Sequence, residues 1–467
     1  MTPPVRRPPA RAAAAAGPKV ADEGLRTRRI ALDILLEVEH RGGYADALLG
    51  GRIATLEPAD RRLVTRLVLG TLAWRARLDY ELEQITGRNL APIQPEALEI
   101  MRMGLLQLRF LDRMPLHAVV STAVELAKRS AESRIAAGFV NAVMRRAARE
   151  KIALPARALD PARYLSIACS HPRWLVERFV EWFGAEDAER LMAADNEAAP
   201  NVIRLNLARG SRAEIIERLS ADGFEMGSGG RALETIVLAS AARFDSESYR
   251  AGLFVAQSEA SQLVARMLAP RADAVIVDLA AAPGGKSTHL AELAGPGARI
   301  IALDRNHGGL KNARDLAARL RHRNIEFVRA DASAALPFRP RSADFVLLDA
   351  PCTGLGTLRE HPEIRWRVQQ SDPARMAIVQ ARMLANAAEI VRPGGALVYS
   401  VCSLAPEEGE GVVHDFLRAH REFEIDRAAP VRADAPDLFD DEGFMRTRPD
   451  RGGLDGFFAA RIVRKSA

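Results

Sequence analysis

The sequence predicts a multi-domain chain: an all-α helical bundle, then a small α+β module, then a C-terminal doubly wound α/β domain. Three observations carry this. Apolar residues recur at spacings of three and four through residues 25–150, the mark of amphipathic helices. From about residue 254 to 400, short apolar strand-like runs alternate with helical patterns, which implies a mostly parallel sheet with helices on both faces. At 467 residues the chain is also too long for one ordinary core.

Residues 1–24, rich in Pro, Ala and Arg, read as a disordered basic tail. Five consecutive alanines are too few and too weakly apolar for a signal peptide. No apolar run is long enough to span a bilayer, so no membrane role is expected. Ile30, Ile34, Leu35 and Val38 share one helical face, and the pattern repeats over 60–74, 98–110, 118–127 and 136–145. Gly42-Gly43 and Pro115 mark turns. Residues 1–150 hold 24 basic and 17 acidic side chains, so this region carries the excess behind the chain's net charge of +6. A concentrated positive field favours a polyanion, most simply nucleic acid. Arg145 and Arg146 fall on the polar side of a helix whose Phe139, Val140 and Val143 face inward; they suit phosphate contacts or a plain solvated face. The stretches YADALL at 44–49, PLHAVV at 115–120 and FVNAVMRR at 139–146 resemble the NusB-like RNA-binding domain.

Residues 151–165, with Pro155 and Pro161, read as a linker, and residues 166–253 as the small α+β module. Cys169 lies there among Leu165 and Ile167 and reads as structural. The other cysteines are Cys352 and Cys402. No pair has metal-ligand spacing, no metal centre is expected, and three distant thiols fit a reduced, cytoplasmic protein.

The third domain, residues 254–467, opens its sheet with Val275–Val277. Further strands are expected at Ile300–Leu303, Ile325–Val328, Phe345–Leu348 and Ala396–Tyr399, and helices at Lys311–Leu320, Pro373–Ile390 and Glu408–His420. After the first strand come Asp278 and the loop Ala280-Ala281-Ala282-Pro283-Gly284-Gly285-Lys286, and Ser287 then starts a helix. Strand, glycine loop and helix place free N–H groups against a ligand. The phosphate-loop pattern fails because Ala280 stands where its first glycine belongs. S-adenosylmethionine on a Rossmann-like sheet fits better, since the next strand ends in Asp304, an acid suited to ribose hydroxyls.

In such a sheet, ligands bind beyond the C-terminal ends of the strands. Those ends carry Asp278, Asp304, Asp331, Asp349-Ala350-Pro351-Cys352 and Ser400-Val401-Cys402-Ser403, so two of the three cysteines lie on the ligand side. Two thiols and a carboxylate beside a methyl donor suit methylation at C5 of a pyrimidine. A thiolate adding to C6 makes C5 nucleophilic. A carboxyl group at the N3 edge steadies the charge that develops there. The second thiol suits the elimination that follows.

These motifs resemble the Sun family of RNA cytosine-C5 methyltransferases, in particular its bacterial 16S ribosomal RNA members with an N-terminal NusB-like domain. The matching stretches are DLAAAPGGK at 278–286, LDRN at 303–306, ADAS at 330–333, DAPCTGLGTLREHPEIRW at 349–366, PGGALVYSVCSL at 393–404 and DGFFAA at 455–460. The resemblance implies Cys402 as nucleophile, Cys352 as the thiol linked to product release, and Asp349 as the acid at both the target base and the cofactor. It implies S-adenosylmethionine contacts at Ala280 through Lys286, Asp304 and Asp331. RNA, specifically 16S ribosomal RNA, is the implied partner of a monomeric enzyme. Arg365 and Trp366 suggest charge and stacking on RNA, or a packed tryptophan. Three departures are Ala280, where the family often has cysteine, Glu360, where an arginine is common, and Ser258, where aspartate is frequent. The rival readings are a P-loop-like NTPase, with Phe345–Asp349 as a magnesium-binding strand, and a non-catalytic NusB-type RNA-binding or antitermination factor.

Overall fold

A computed structural model describes residues 18–466 apart from Arg113, with side chains from residue 24 onward. The chain divides into two compact units, residues 1–160 and 161–467. The first unit is helical: α1 (Pro18–Arg41), α2 (Ala45–Arg52), α3 (Pro58–Ala73), α4 (Arg75–Thr86), α5 (Pro95–Phe110), α6 (Leu116–Arg129) and α7 (Ala137–Ala147). The expected basic tail lies outside the described residues up to residue 17, and its last residues, from Pro18, are helical instead. Ile34, Leu35 and Val38 are buried, as the spacing requires, and pack with Leu67, Ile100 and Val140 in one core. Pro58 and Pro95 each occupy the first helical position, where a missing N–H leaves no bond unmade.

The second unit starts with α8 (Pro161–Ala168), α9 (Arg173–Phe183) and α10 (Ala185–Ala194). Helix α8 begins inside the stretch expected as a linker, because Pro161 starts a helix here rather than breaking one. A four-stranded antiparallel sheet follows, built from β1 (Asn201–Leu205), β2 (Met226–Gly229), β3 (Thr235–Leu238) and β4 (Phe254–Ala256) in the order β2-β3-β1-β4. Helix α11 (Arg212–Ala221) starts with a capping box between Ser211 and Glu214, and α12 (Glu247–Arg250) precedes β4. Strand β4 lies past residue 253, the limit expected for this module.

The large sheet contains β5 (Val275–Asp278), β6 (Arg299–Asp304), β7 (Ile325–Arg329), β8 (Ala343–Asp349), β9 (Val391–Val401), β10 (Phe423–Ile425), β11 (Met445–Thr447) and β12 (Phe457–Arg464). Its order is β10-β12-β9-β8-β5-β6-β7, with β11 beside β12. The five strands from β9 to β7 are parallel, and β12 runs antiparallel to β9. The order reverses between β5 and β8, which opens a crevice at their C-terminal ends. Three strands, β10, β11 and β12, follow β9 in the chain. Helices α13 (Glu259–Leu268), α14 (Gly285–Ala294), α15 (His307–Leu320), α16 (Ile364–Arg367), α17 (Asp372–Ile390) and α18 (Glu410–Ala419) accompany the sheet. Ile276, Ile300 and Leu347 enter one buried cluster, and Val277, Leu303 and Val346 another, so the strands are apolar on both faces.

Two buried arginines bind the modules of this unit together. Arg204 on β1 donates to the Gly285 carbonyl (2.7 Å), to Thr288 Oγ1 (3.0 Å) and to Glu292 Oε1 (2.9 Å), so the small sheet grips the start of α14. Arg365 donates to the carbonyls of Ser170 (3.2 Å), Asp195 (3.1 Å) and Leu358 (3.1 Å) and to Asn196 Oδ1 (2.7 Å). It is fully buried, and burial pulls its guanidinium down to about 10. Arg365 is therefore a structural tie between the α8–α10 helices and the loop after β8, and contact with RNA is ruled out by its burial. Replacing it strands several buried acceptors at once. Arg365→Ala should lower unfolding free energy by about 3 kcal/mol or more, measured by urea titration.

Candidate active site

The parallel pairing of β8 with β9 places Asp349 opposite Ser400. Both strands stop at the same level, and the loops beyond them meet. Cys352, three residues past Asp349, and Cys402, two past Ser400, bring their sulfurs to 3.2 Å. Both side chains are half-buried, and Cys169 lies apart in the packing of α8–α10. The Cys352 thiol is pushed well above its ordinary value, first by its contact with Cys402 and then by burial.

Asp349 is held from two sides. Its Oδ2 accepts from Lys286 Nζ at 2.6 Å and its Oδ1 from Ser400 Oγ at 2.7 Å. Burial pulls the Lys286 ammonium down, but the adjacent Asp349 outweighs it, with Cys402 adding to the effect, and the net shift is upward. Lys286 also lies 5.5 Å over the Phe457 ring. Beneath this pair, Asp278 accepts from Ser287 Oγ at 2.6 Å. Burial drives the Asp278 carboxyl up to about 6; the Ser287 hydroxyl opposes this and the charge of Asp349 adds to it.

The glycine loop lies at the switch point of the sheet. Gly284 takes a φ of +104°, and a Cβ there would lie 2.8 Å from the Cα of Ala313, so glycine is required. At Gly285 by contrast a Cβ would meet only the Gln257 side chain, at 3.8 Å, an ordinary contact. The N–H groups of the first turn of α14 have no carbonyl one turn back to receive them. Asp304, at the end of β6, accepts from Ala282 N at 3.0 Å and from Asn306 N at 2.8 Å, which fixes it at the mouth of the loop. Asp331 lies just past β7, exposed, accepting from Ser333 N and Oγ. Acids at the strand ends, a glycine loop and a helix N-terminus are groups that fit S-adenosylmethionine.

The predicted residues Asp278, Lys286, Asp349, Cys352 and Cys402 thus converge, with the loop, Asp304 and Asp331 along the same edge. Three features were not read from sequence. Gly356 donates from its N–H to the Cys402 carbonyl (3.0 Å) and accepts from Gly456 N (2.7 Å), and a Cβ on Gly356 would strike the Gly456 carbonyl at 1.8 Å. The DGFF stretch is therefore a wall of the site. The bond from Ser400 to Asp349 and the buried Glu408 are the others; Ser400 itself stands among the expected strand-end residues, and for Glu408 the adjacent motif PGGALVYSVCSL is the only signal. In the helical unit, Arg145 and Arg146 are exposed, with Arg146 engaged by Glu150 and by the Ile85 carbonyl.

A Rossmann-like sheet with two thiols and an acid at its ligand edge defines a methyltransferase of nucleic-acid type. The 16S rRNA methyltransferase RsmB/F profile matches residues 265–463, the RsmF/B-like ferredoxin-like domain residues 171–245, and the NusB family residues 25–149. The chain is 33% identical to a probable ribosomal RNA small subunit methyltransferase B of Bacillus subtilis, over 94% of this chain and 98% of that one. It is 36% identical to the ribosomal RNA small subunit methyltransferase B of Thermus thermophilus, over 94% and 97%. The crystal structure of PH0851 superposes with a TM-score of 0.81 at 26% identity, covering 95% of this chain and 98% of that one. The chain belongs to the RsmB/F family of 16S ribosomal RNA methyltransferases, which sets aside both rival readings.

The buried Asp278 gives a pH test. Its folded-state value, about 6, lies above the ordinary 3.8, so the folded protein holds this proton more tightly than the unfolded chain. Its stabilising effect is present at acid pH and is lost as pH rises from about 4 to about 6. Relative to Asp278→Asn, wild-type stability should fall by about 3 kcal/mol across that window, from the shift at 1.36 kcal/mol per unit. Urea unfolding of both proteins at several pH values checks this, and a pH-independent difference contradicts it.

Proposed function

We propose that the protein methylates C5 of a cytosine in 16S ribosomal RNA, with Cys402 as a covalent nucleophile and S-adenosylmethionine as the methyl donor. The observation that carries the reading is the meeting of two thiols beside a carboxylate and an ammonium at the ligand edge of the sheet. The residues assigned to the cofactor are Ala280, Ala281, Ala282, Pro283, Gly284, Gly285, Lys286, Asp304, Asp331 and Asp349. Bound there, S-adenosylmethionine supplies the methyl group.

Sγ of Cys402 adds to C6 of the flipped-out base, and the electron pair of the C5–C6 bond becomes available at C5. Asp349, oriented by Lys286 and Ser400, faces the N3 edge where charge gathers. After C5 has gained its methyl group, its proton is removed, the C5–C6 bond re-forms and Cys402 leaves. Cys352 serves this last stage. Its sulfur lies 3.2 Å from that of Cys402 and, as the thiolate, accepts the proton from C5 while Cys402 departs as thiolate.

The NusB-like unit would hold the surrounding RNA through its basic surface. Among the described residues no helix is long and apolar enough to cross a membrane. A ribosomal RNA substrate fits a cytoplasmic enzyme, and we infer a monomer.

Cys402→Ala should reduce methyl transfer to small-subunit RNA to background; retained activity refutes the scheme. Cys352→Ala should accumulate a protein–RNA adduct, seen as a retarded band on a denaturing gel. Gly284→Ala, which forces a methyl group onto Ala313, should weaken S-adenosylmethionine binding at least about tenfold by calorimetry.

A further inference from the structure

Glu408 follows the second cysteine loop and is fully buried, yet it lies outside the chemistry assigned above. A buried carboxylate needs a partner for each lone pair. Glu408 has four. Its Oε1 accepts from Thr353 N at 2.9 Å and from Gln380 Nε2 at 3.0 Å. Its Oε2 accepts from Ser403 Oγ at 2.5 Å and from Thr353 Oγ1. Thr353 directly follows Cys352, and Ser403 directly follows Cys402.

We propose that Glu408 is a positioning residue, whose carboxylate clasps the residue after each site cysteine and so sets the separation of the two sulfurs. The surroundings of the clasp are fixed as well. Gln380 on α17 also donates to the Pro351 carbonyl at 2.9 Å, so the residue before Cys352 is tied to the same network. Tyr399 Oη donates to the Glu408 carbonyl at 2.6 Å and anchors the backbone of the clasp to β9. Apart from Glu408, the two loops are joined near the sulfurs by Gly356 N to the Cys402 carbonyl and by the Thr353 and Ser403 hydroxyls, 3.1 Å apart, both of which Glu408 Oε2 holds. The negative charge of Glu408 is also among the causes, after Cys402 and burial, that keep the Cys352 thiol protonated.

The inference rests on the roles given above to Cys402 and Cys352, and its test separates the two. A trivalent phenylarsenical bonds two thiols only when they are close, releasing water, so its capture reports sulfur spacing whether or not the thiols perform catalysis. The full-length protein should bind one equivalent, and Cys352→Ala should abolish this. Glu408→Ala should weaken capture at least tenfold. It should lower kcat for RNA methylation 10- to 100-fold and leave KM for RNA and for S-adenosylmethionine within about twofold.

Glu408→Gln should restore most of both properties. Its amide can donate to the two hydroxyls, which turn to accept, while its oxygen keeps the two N–H donors. Ser403→Ala, which releases only the Cys402 side and leaves Thr353 bound, covers the outcome in which Glu408→Ala does not fold. It should lower kcat severalfold with KM unchanged. Wild-type arsenical capture and kcat in folded Glu408→Ala, or in Ser403→Ala, would overturn the proposal, as would a loss expressed only in KM.

Discussion

Everything chemical in this protein depends on two parallel strands ending at the same height. The register of β8 on β9 sets Asp349 opposite Ser400, and the chain leaves each strand toward the same crevice. Two cysteines about fifty residues apart in sequence become neighbours with no disulfide to join them. A slip of one residue would turn either loop to the other face, since side chains alternate along a strand. The apolar faces of β8 and β9, buried on both sides, specify the register and so protect the site at a distance.

Around that register the site is layered by charge. Lys286 and Asp349 form its centre, Asp278 and Ser287 lie below, and Glu408 with its four donors lies behind the thiols. The three carboxylates are held differently. The half-buried Asp349 has an ammonium and a hydroxyl; Asp278 has a hydroxyl, Glu408 has four neutral donors, and burial raises the proton affinity of both. Such a set suits a reaction in which charge appears on a base and then vanishes, because the polar groups are already oriented before the substrate arrives.

Much of this was legible in the sequence, for a physical reason. Strand-end positions are marked locally: an apolar β-branched run stops, an acid or small residue follows, and a helical pattern begins. Asp278, Asp304, Asp349, Cys352 and Cys402 could all be placed that way. What was illegible depends on tertiary neighbours. Arg365 beside Trp366 looks like a stacking pair for RNA, but nothing local reveals that Ser170, Asp195 and Asn196 surround the guanidinium. Glu408 sits in an acidic run that reads as the exposed start of a helix, and only the fold brings Thr353 to it. Pro161 reads locally as punctuation, although the same ring constraint suits the first turn of a helix.

The contact of Gly456 with Gly356 has a consequence in time. Strand β12 lies between β9 and β10, and Phe457 borders Lys286, so one wall of the cleft comes from residues synthesised long after the helical unit. Domains fold broadly in the order in which they leave the ribosome. The helical unit can thus mature early while the cleft stays unfinished until β12 has emerged. A partly made chain would be able to hold its nucleic acid before it was able to modify it.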